Sequence, residues 1–352
     1  WWVIADRTQS PSGAGYALEN RIVLSRSLPE AFRDCRVHRL AGFFRAFRDS
    51  LAGLAPSGRS EPNIVLLTPG PYNETYFEHA YLARYLGLTL VEGADLTVRD
   101  CRVFVKTLGA LEPVDVILRR LDDSYCDPLE LRGDSTLGIA GLVESVRTGN
   151  VVVANALGSG VAESPAILPF LPRLSRVLLG EELQLTSAAT WWCGQERERR
   201  HVLARLGEVV TKRAFTSSGR QPVLGRMLSA EDRAALAADI EAHPEAFVGQ
   251  EQLSLSSAPV WLGQKLEPRP LVLRVYVAWA GDRYIVMPGG LTRVGGSRGM
   301  SVVSMQSGGG SKDTWVLSEK PVSQVTLLPT TAGSVRQARR AVTVPSRVAD
   351  NL

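Results

Sequence analysis

Residues 209–253 constrain this chain most, because their order of elements suits few folds. A short apolar run ends in Lys212, a small-residue loop Thr216-Ser217-Ser218-Gly219-Arg220 follows, and after an acidic helical segment comes a second strand-like run, residues 247–253. That order is what a nucleotide clamp requires. Lys212 reaches phosphates from its strand, the loop folds over them, and Gln250, Glu251, Gln252 and Leu253 form a polar edge for adenine and ribose. Gly219 with Ser217 and Ser218 leaves backbone N–H groups free to approach phosphate, and Arg220 adds charge-assisted hydrogen bonds. The spacing is not that of a Walker loop, so the same residues also read as an ordinary turn.

Length and charge narrow the alternatives. A chain of 352 residues exceeds what one core usually covers, so subdomains sharing a cleft are expected. The net charge of +4 is spread along the sequence, which suits a small anionic ligand and argues against a nucleic-acid surface. Cys35, Cys101, Cys126 and Cys193 form no CxxC pair and fit a reduced, cytoplasmic protein. The histidines His38, His79, His201 and His243 lack metal-site spacing. No apolar run is long enough to span a bilayer. The Trp-Trp start without an initiator Met reads as a segment cut from something longer.

Along the chain, residues 1–5 read as a buried strand delivering Asp6 and Thr8 to a Ser/Gly loop that contains Ser12, with a helical segment opening at Leu18 and carrying Asn20 and Arg21. Asp6 is a candidate metal carboxylate, and the loop N–H groups or Arg21 are candidates to hold a carboxylate or phosphate; a capped turn with a surface Arg is the alternative. Residues 29–54 have helical spacing. From residue 63 the pattern becomes β-α-β, with strands at 64–68 and 88–91 flanking a helix over 74–86, a Rossmann-like unit without the G-x-G-x-x-G fingerprint. The loop after its first strand puts Tyr72, Asn73 and Glu74 at a cleft. A hairpin over 96–107 leads to a strand over 114–118, whose end carries Arg119, Arg120, Asp122 and Tyr125. These read as anion recognition or as a surface ion network.

A helix over 137–148, a strand over 151–154 and a Gly/Ser loop over 155–160 come next. Beyond the clamp, residues 271–279 alternate as one strand with Arg274 inside it, and a turn at Gly281-Asp282 leads to a return strand ending near Arg293. Unpaired buried arginines are costly, so Arg274 and Arg293 are candidates to face phosphates or an acid. A flexible loop over 307–313 holds Lys312 and precedes a strand over 314–317. Residues 319–344 have linker composition.

With these residues laid out, the chain resembles the circularly permuted ATP-grasp family, type 2. The resemblance rests on Asp6-Arg7-Thr8-Gln9, Pro11 to Tyr16 and Glu19-Asn20-Arg21; on Leu67 to Tyr76; on Leu118-Arg119-Arg120; on Met287 to Arg293; and on Gly308 to Trp315. It implies an α/β (α+β) ATP-grasp fold, circularly permuted, in which a Rossmann-like subdomain stands beside antiparallel ATP-binding sheets. The divisions expected are 1–60 for the N-terminal strand, metal and substrate loop and helices, 61–180 for the Rossmann-like substrate subdomain and 181–318 for the ATP clamp. Residues 319–352 are then a linker and, from Val344, the start of a helical alpha-E domain with which the protein would associate.

The activity implied is that of an ATP-dependent carboxylate–amine ligase working through an acyl phosphate, with ATP and Mg2+ as cofactors and small-molecule or peptide acids and amines as substrates. No nucleic acid or membrane is implied. Carried over by position, Lys212, Ser217, Ser218, Gly219, Gln250, Glu251, Gln252, Leu253 and Lys312 look like the nucleotide contacts. Arg120, Arg274 and Arg293 look like the catalytic cations, and Asp6 and Thr8 like the metal ligands. Ser12, Asn20, Arg21, Tyr72, Asn73, Arg119, Asp122 and Tyr125 look like substrate contacts. The chain departs from the pattern in having Lys212-Arg213 for Lys-Pro and Asp6-x-Thr8 for Glu-x-Asn. A non-catalytic nucleotide-binding scaffold serving a fused helical domain is the second reading. A glycosyl or nucleotidyl transferase, a third, explains the β-α-β unit but not the clamp.

Overall fold

The computed structural model describes residues 1–56, 58–215, 222–296 and 309–322. The chain begins with β1 (Trp2–Val3) and a long irregular segment, then three helices, α1 (Ala14–Ser27), α2 (Pro29–Asp34) and α3 (Ala41–Gly53). The opening strand is not buried as its composition predicts: Trp1 and Trp2 are 84% and 55% exposed. Helix α1 starts ahead of the expected Leu18, because Gly13, at φ +106°, turns the chain where a side chain would collide with the Tyr276 hydroxyl. The expected helical run over 29–54 is broken between α2 and α3, where Arg36 takes a positive φ.

A parallel sheet follows. Its elements are β2 (Ile64–Leu67), α4 (Tyr76–Leu86), β3 (Thr89–Val91), the antiparallel trio β4 (Leu96–Arg99), β5 (Arg102–Lys106) and β6 (Leu111–Pro113), then β7 (Val116–Arg119), α5 (Leu142–Arg147) and β8 (Val152–Ala154). The strand order is β3-β2-β7-β8, all parallel. Both faces of β2 are covered, which explains its unbroken apolar run. Ile64 and Leu66 pack with α1, α3 and α4, whereas Val65 and Leu67 pack with Val103, Leu142 and Val153. After β3 the chain crosses over β2 to β7, so the direction of winding reverses between β2 and β7. A crevice at the carboxyl ends of those strands is where open α/β sheets bind ligands. Helix α5 is shorter than expected, because Gly141 takes left-handed backbone at φ +84° immediately before Leu142.

After α6 (Leu171–Leu179), β9 (Thr186–Ser187) pairs in parallel with β1. The clamp comprises β10 (Thr190–Trp192), α7 (Glu196–Ala204), β11 (Val209–Arg213), β12 (Val223–Leu224), α8 (Ala230–Ala242) and β13 (Phe247–Glu251). Its antiparallel order is β10-β13-β11-β12, and Val202, Leu206, Ile240 and Phe247 fill the space under the helices.

The last strands are β14 (Ser257–Trp261), β15 (Leu266–Arg274), β16 (Val277–Trp279), β17 (Tyr284–Val286), β18 (Leu291–Val294) and β19 (Gly310–Asp313). They form an antiparallel sheet β14-β15-β18-β19 and a separate hairpin β16-β17. The single strand expected over 271–279 therefore breaks at Val275-Tyr276, where Tyr276 turns inward and is only 7% exposed. Lys312 lies on a strand rather than in the expected flexible loop, since β19 pairs along β18. The strand expected over 314–317 reduces to one bridge, Val37 to Leu317. Among the described residues no helix is long and apolar enough to cross a membrane. The linker and alpha-E expectations fall beyond residue 322, outside the described residues.

Candidate functional site

The irregular segment after β1 is the hub of the site. At its start the Ile4 carbonyl accepts a hydrogen bond from Lys212 Nζ (3.1 Å). The same ammonium donates to Gln250 Oε1 (2.5 Å), and Gln250 Nε2 donates to Thr190 Oγ1 (3.0 Å). Lys212 lies opposite Val248, and Gln250 opposite Val210, so one antiparallel pair of strands sets both side chains in register. Burial lowers the Lys212 pKa to about 8, and the charge of Arg7 pushes it the same way. Gln250 is buried and orients the lysine, whereas Glu251 is exposed at the end of β13 with its N–H on the Ala189 carbonyl (2.7 Å). Gln252 and Leu253 continue from that strand end. Ser217, Ser218 and Gly219 lie outside the described residues.

At its other end the segment meets Arg120 and Arg274, and Arg293 lies beside Arg274. Arg120, just beyond β7 at the crevice, donates from Nη1 to the Pro11 carbonyl (2.8 Å). Arg274, at the end of β15, donates to the Ser12 carbonyl (2.7 Å) and Oγ (3.2 Å), and the Tyr276 hydroxyl also donates to that carbonyl (3.3 Å). Arg293 comes from β18, beside β15. The Nε atoms of Arg120 and Arg293 are buried without a hydrogen-bond partner. Burial lowers the pKa of both Arg120 and Arg274, and Arg293 and Arg7 add repulsion at Arg274. Cations crowded out of water with unmet donors form a receptor for an anion.

Glu78 and His79 on α4 support this cluster from below, and neither was singled out from sequence. Glu78 is 1% exposed and accepts from Gly13 N–H (2.6 and 2.8 Å) and Gly15 N–H (2.9 Å). His79 is held between the Thr68 (2.9 Å) and Thr75 (3.1 Å) hydroxyls; burial, then the neighbouring Arg120 charge, lowers its pKa to about 4. The sequence signal that could have found Glu78 is the pair Gly13-x-Gly15, where missing side chains leave room for a carboxylate.

Several sequence candidates serve the frame instead of the opening. The Arg119 guanidinium donates to the carbonyls of Asn155 (2.7 Å), Leu121 (2.8 Å) and Ala156 (3.1 Å), and pairs with Asp123. Arg21 is likewise consumed by Asp313 (2.7 Å) and by the His38 and Thr314 carbonyls. Both are buried, at 3% exposure for Arg21 and 1% for Arg119, so neither reaches the opening. Thr8 Oγ1 donates to the Ser159 carbonyl (2.7 Å), so it braces the segment instead of facing a metal. Lys312 pairs with Thr292, one residue out of step with Arg293, and therefore projects from the opposite sheet face to Arg274 and Arg293. Tyr72 is fully exposed, and Asn73 folds its carbonyl onto Thr75. Tyr125 is covered by Arg132 (4.6 Å to the ring), and exposed Asp122 accepts weakly from Ser10 (3.4 Å). Asn20 donates to Ser311 (3.2 Å).

The set suits a polyphosphate better than a bare metal ion. Among the described residues no group of three or more His, Cys, Asp or Glu could hold a metal. A Mg2+ carried by a triphosphate needs only one or two protein carboxylates. Asp6 fits that place, being exposed and beside Arg7, on the stretch between Lys212 and the arginines; burial by its neighbours raises its pKa, and Arg7 opposes the rise.

A family model described as circularly permuted ATP-grasp type 2 matches residues 1–295. An uncharacterized protein of Synechocystis sp. is 41% identical over 317 residues, covering 90% of this chain and 66% of that protein. Two uncharacterized proteins of Mycobacterium tuberculosis are 40% and 41% identical, covering 90% and 94% of this chain but 58% and 37% of their own lengths. The chain thus spans less than two thirds of these relatives. Among solved structures, a glutathione synthetase-like effector from Globodera pallida covers 88% of this chain and 66% of that one, at 11% identity and a TM-score of 0.45. D-alanyl-alanine synthetase A from Vibrio cholerae covers 80% and 82%, at 10% identity and a TM-score of 0.38.

Proposed function

Since the chain belongs to the circularly permuted ATP-grasp type 2 family, we propose that it is an ATP-dependent carboxylate–amine ligase that activates an acid as an acyl phosphate. The observation that carries this reading is the meeting of Arg120 and Arg274 on the turn at Pro11-Ser12, with Arg293 beside Arg274 and the Nε atoms of Arg120 and Arg293 buried and unpaired. Phosphoryl transfer asks the protein for position and for charge neutralisation.

Lys212, held by Gln250 and the Ile4 carbonyl, supports the phosphate chain from the clamp. The arginines face the group in transfer, Arg120 from the Rossmann-like sheet and Arg274 and Arg293 from the antiparallel sheet, and stabilise the charge that gathers on its oxygens. Neutral His79 keeps Thr68 and Thr75 in place beside them without adding a further cation. Mg2+, with Asp6 as its protein ligand, would supply further neutralisation along the triphosphate. An amine attacking the activated acyl carbon then displaces phosphate, leaving an amide.

Calorimetric titration of ATP with and without Mg2+ tests the nucleotide half of this reading. Micromolar, Mg-dependent binding is expected, weakened about 10- to 100-fold in Lys212→Ala, the loss for removing a charged hydrogen-bonding partner. No binding to the wild-type protein would overturn it. Formation of ADP that depends on added acids and amines tests the ligase half. The scaffold reading, favoured by the thin set of metal carboxylates, expects binding with no such ADP.

A further inference from the structure

We infer that Glu78 is a positioning residue of the arginine cluster, fixing the Ser12–Gly13 peptide plane so that the Ser12 carbonyl points at Arg274 and Tyr276. The inference rests on the proposed nucleotide reading for its ligand, but not for its geometry. The turn has two sides. Its amides, at Gly13 and Gly15, point inward to the Glu78 carboxylate. Its carbonyls, at Pro11 and Ser12, point to the guanidinium and phenol donors. The Gly13 N–H and the Ser12 carbonyl belong to one rigid peptide plane, so holding that amide fixes where that carbonyl aims.

Four further features support this role. Glu78 is 1% exposed, and no arginine or lysine lies within ion-pair distance of it among the described residues, so its charge rests on backbone N–H groups at the positive end of α1. The carboxylate occupies the position an anion would take at that helix start, which sends a bound anion to the other side of the turn. Gly15 is required by its approach, since a Cβ there would come within 2.8 Å of Glu78 Cγ, while Gly13, at φ +106°, lies against the Tyr276 hydroxyl. The carboxylate also favours the charged forms of Arg120 and Arg274 through space, offsetting part of their burial.

The test uses Glu78→Gln and Glu78→Asp in the full chain, with tripolyphosphate and AMP as calorimetric probes and hydrogen exchange at the Gly13 and Gly15 amides as an independent readout. In Glu78→Gln, tripolyphosphate affinity should fall about tenfold or more while AMP affinity stays within about twofold, and both amides should exchange faster. Glu78→Asp keeps the charge and should recover part of the tripolyphosphate affinity. Unchanged tripolyphosphate binding in Glu78→Gln would overturn the inference, as would an equal loss of both probes or the failure of both variants to melt cooperatively. If the wild-type protein binds neither probe, it is the nucleotide reading that fails. Exchange at the two glycines then still decides Glu78, with acceleration supporting its hold on the turn and no acceleration refuting it.

Discussion

Lys212 shows how a single residue ties stability of the site to its chemistry. With a pKa near 8 instead of the ordinary 10.5, its ammonium is charged at neutral pH and discharges as pH rises through about 8. ATP affinity should therefore decline above about pH 8, and Lys212→Arg, charged throughout, should lack that decline; parallel profiles for the two proteins would show that Lys212 does not touch the phosphates. His79 runs the other way. Its folded pKa, about 4, lies below the 6.5 of the unfolded chain, so between these values the unfolded state binds the extra proton. The stability it contributes is complete above pH 6.5 and is lost as pH falls toward 4. Unfolding free energies from urea titrations at pH 7.5 and 4.5 should differ less in His79→Gln than in the wild-type protein, by on the order of 2–3 kcal/mol. An unchanged difference would refute its burial as the neutral form. The arginines were legible in the sequence because a guanidinium inside an apolar run demands a partner. Glu78, His79 and Tyr276 were not, because each sits in an ordinary helical or strand pattern and matters only through what packs against it.

At the scale of elements, α1 and β19 are joined by a buried ion pair whose members come from opposite ends of the described chain. Arg21 and Asp313 are 3% and 0% exposed at their side chains, and Trp315 Nε1 also donates to that carboxylate (2.8 Å). Removing one partner leaves an uncompensated charge, so Arg21→Ala or Asp313→Ala should cost about 3–5 kcal/mol, read as a lowered denaturation midpoint. A midpoint shift equivalent to less than about 1 kcal/mol, the range of exposed pairs, would show that water reaches the pair. Elements with local causes were readable: the β-α-β unit, the hairpin over 96–107 and the clamp strands all follow from alternation, apolar runs and turn residues. Those shaped by distant contacts were not. The break between β15 and β16 is imposed by Tyr276 reaching Ser12, and β19 exists because β18 offers it an edge. Neither cause is near in sequence.

Across the whole molecule, a net charge of +4 spread along the sequence conceals a local concentration, since Arg7, Arg120, Lys212, Arg274 and Arg293 come from distant parts of the chain. What gathers them is the segment over 4–12, which links the clamp at Ile4 to the Rossmann-like sheet and the antiparallel sheet at Pro11 and Ser12. Thr8 and Gln9 fasten its middle to the loop after β8, through the Ser159 carbonyl (2.7 Å) and the Glu163 carboxylate (2.6 and 2.7 Å). If a triphosphate spans from Lys212 to the arginines, it must lie along this segment and oppose every opening that separates the two sheets. Saturating ATP should then slow hydrogen exchange at residues 4–15 together with β11 and β13, by up to about 100-fold at a hundredfold excess over Kd. The β4–β6 trio, on the far face of the parallel sheet, should not change. Protection confined to β11 and β13 would place the nucleotide wholly within the clamp and detach the arginine cluster from it. Protection of residues 4–15 together with β11 and β13 places the phosphates where the segment joins the sheets, the arrangement in which an acid held at the crevice between β2 and β7 meets the group it is to receive.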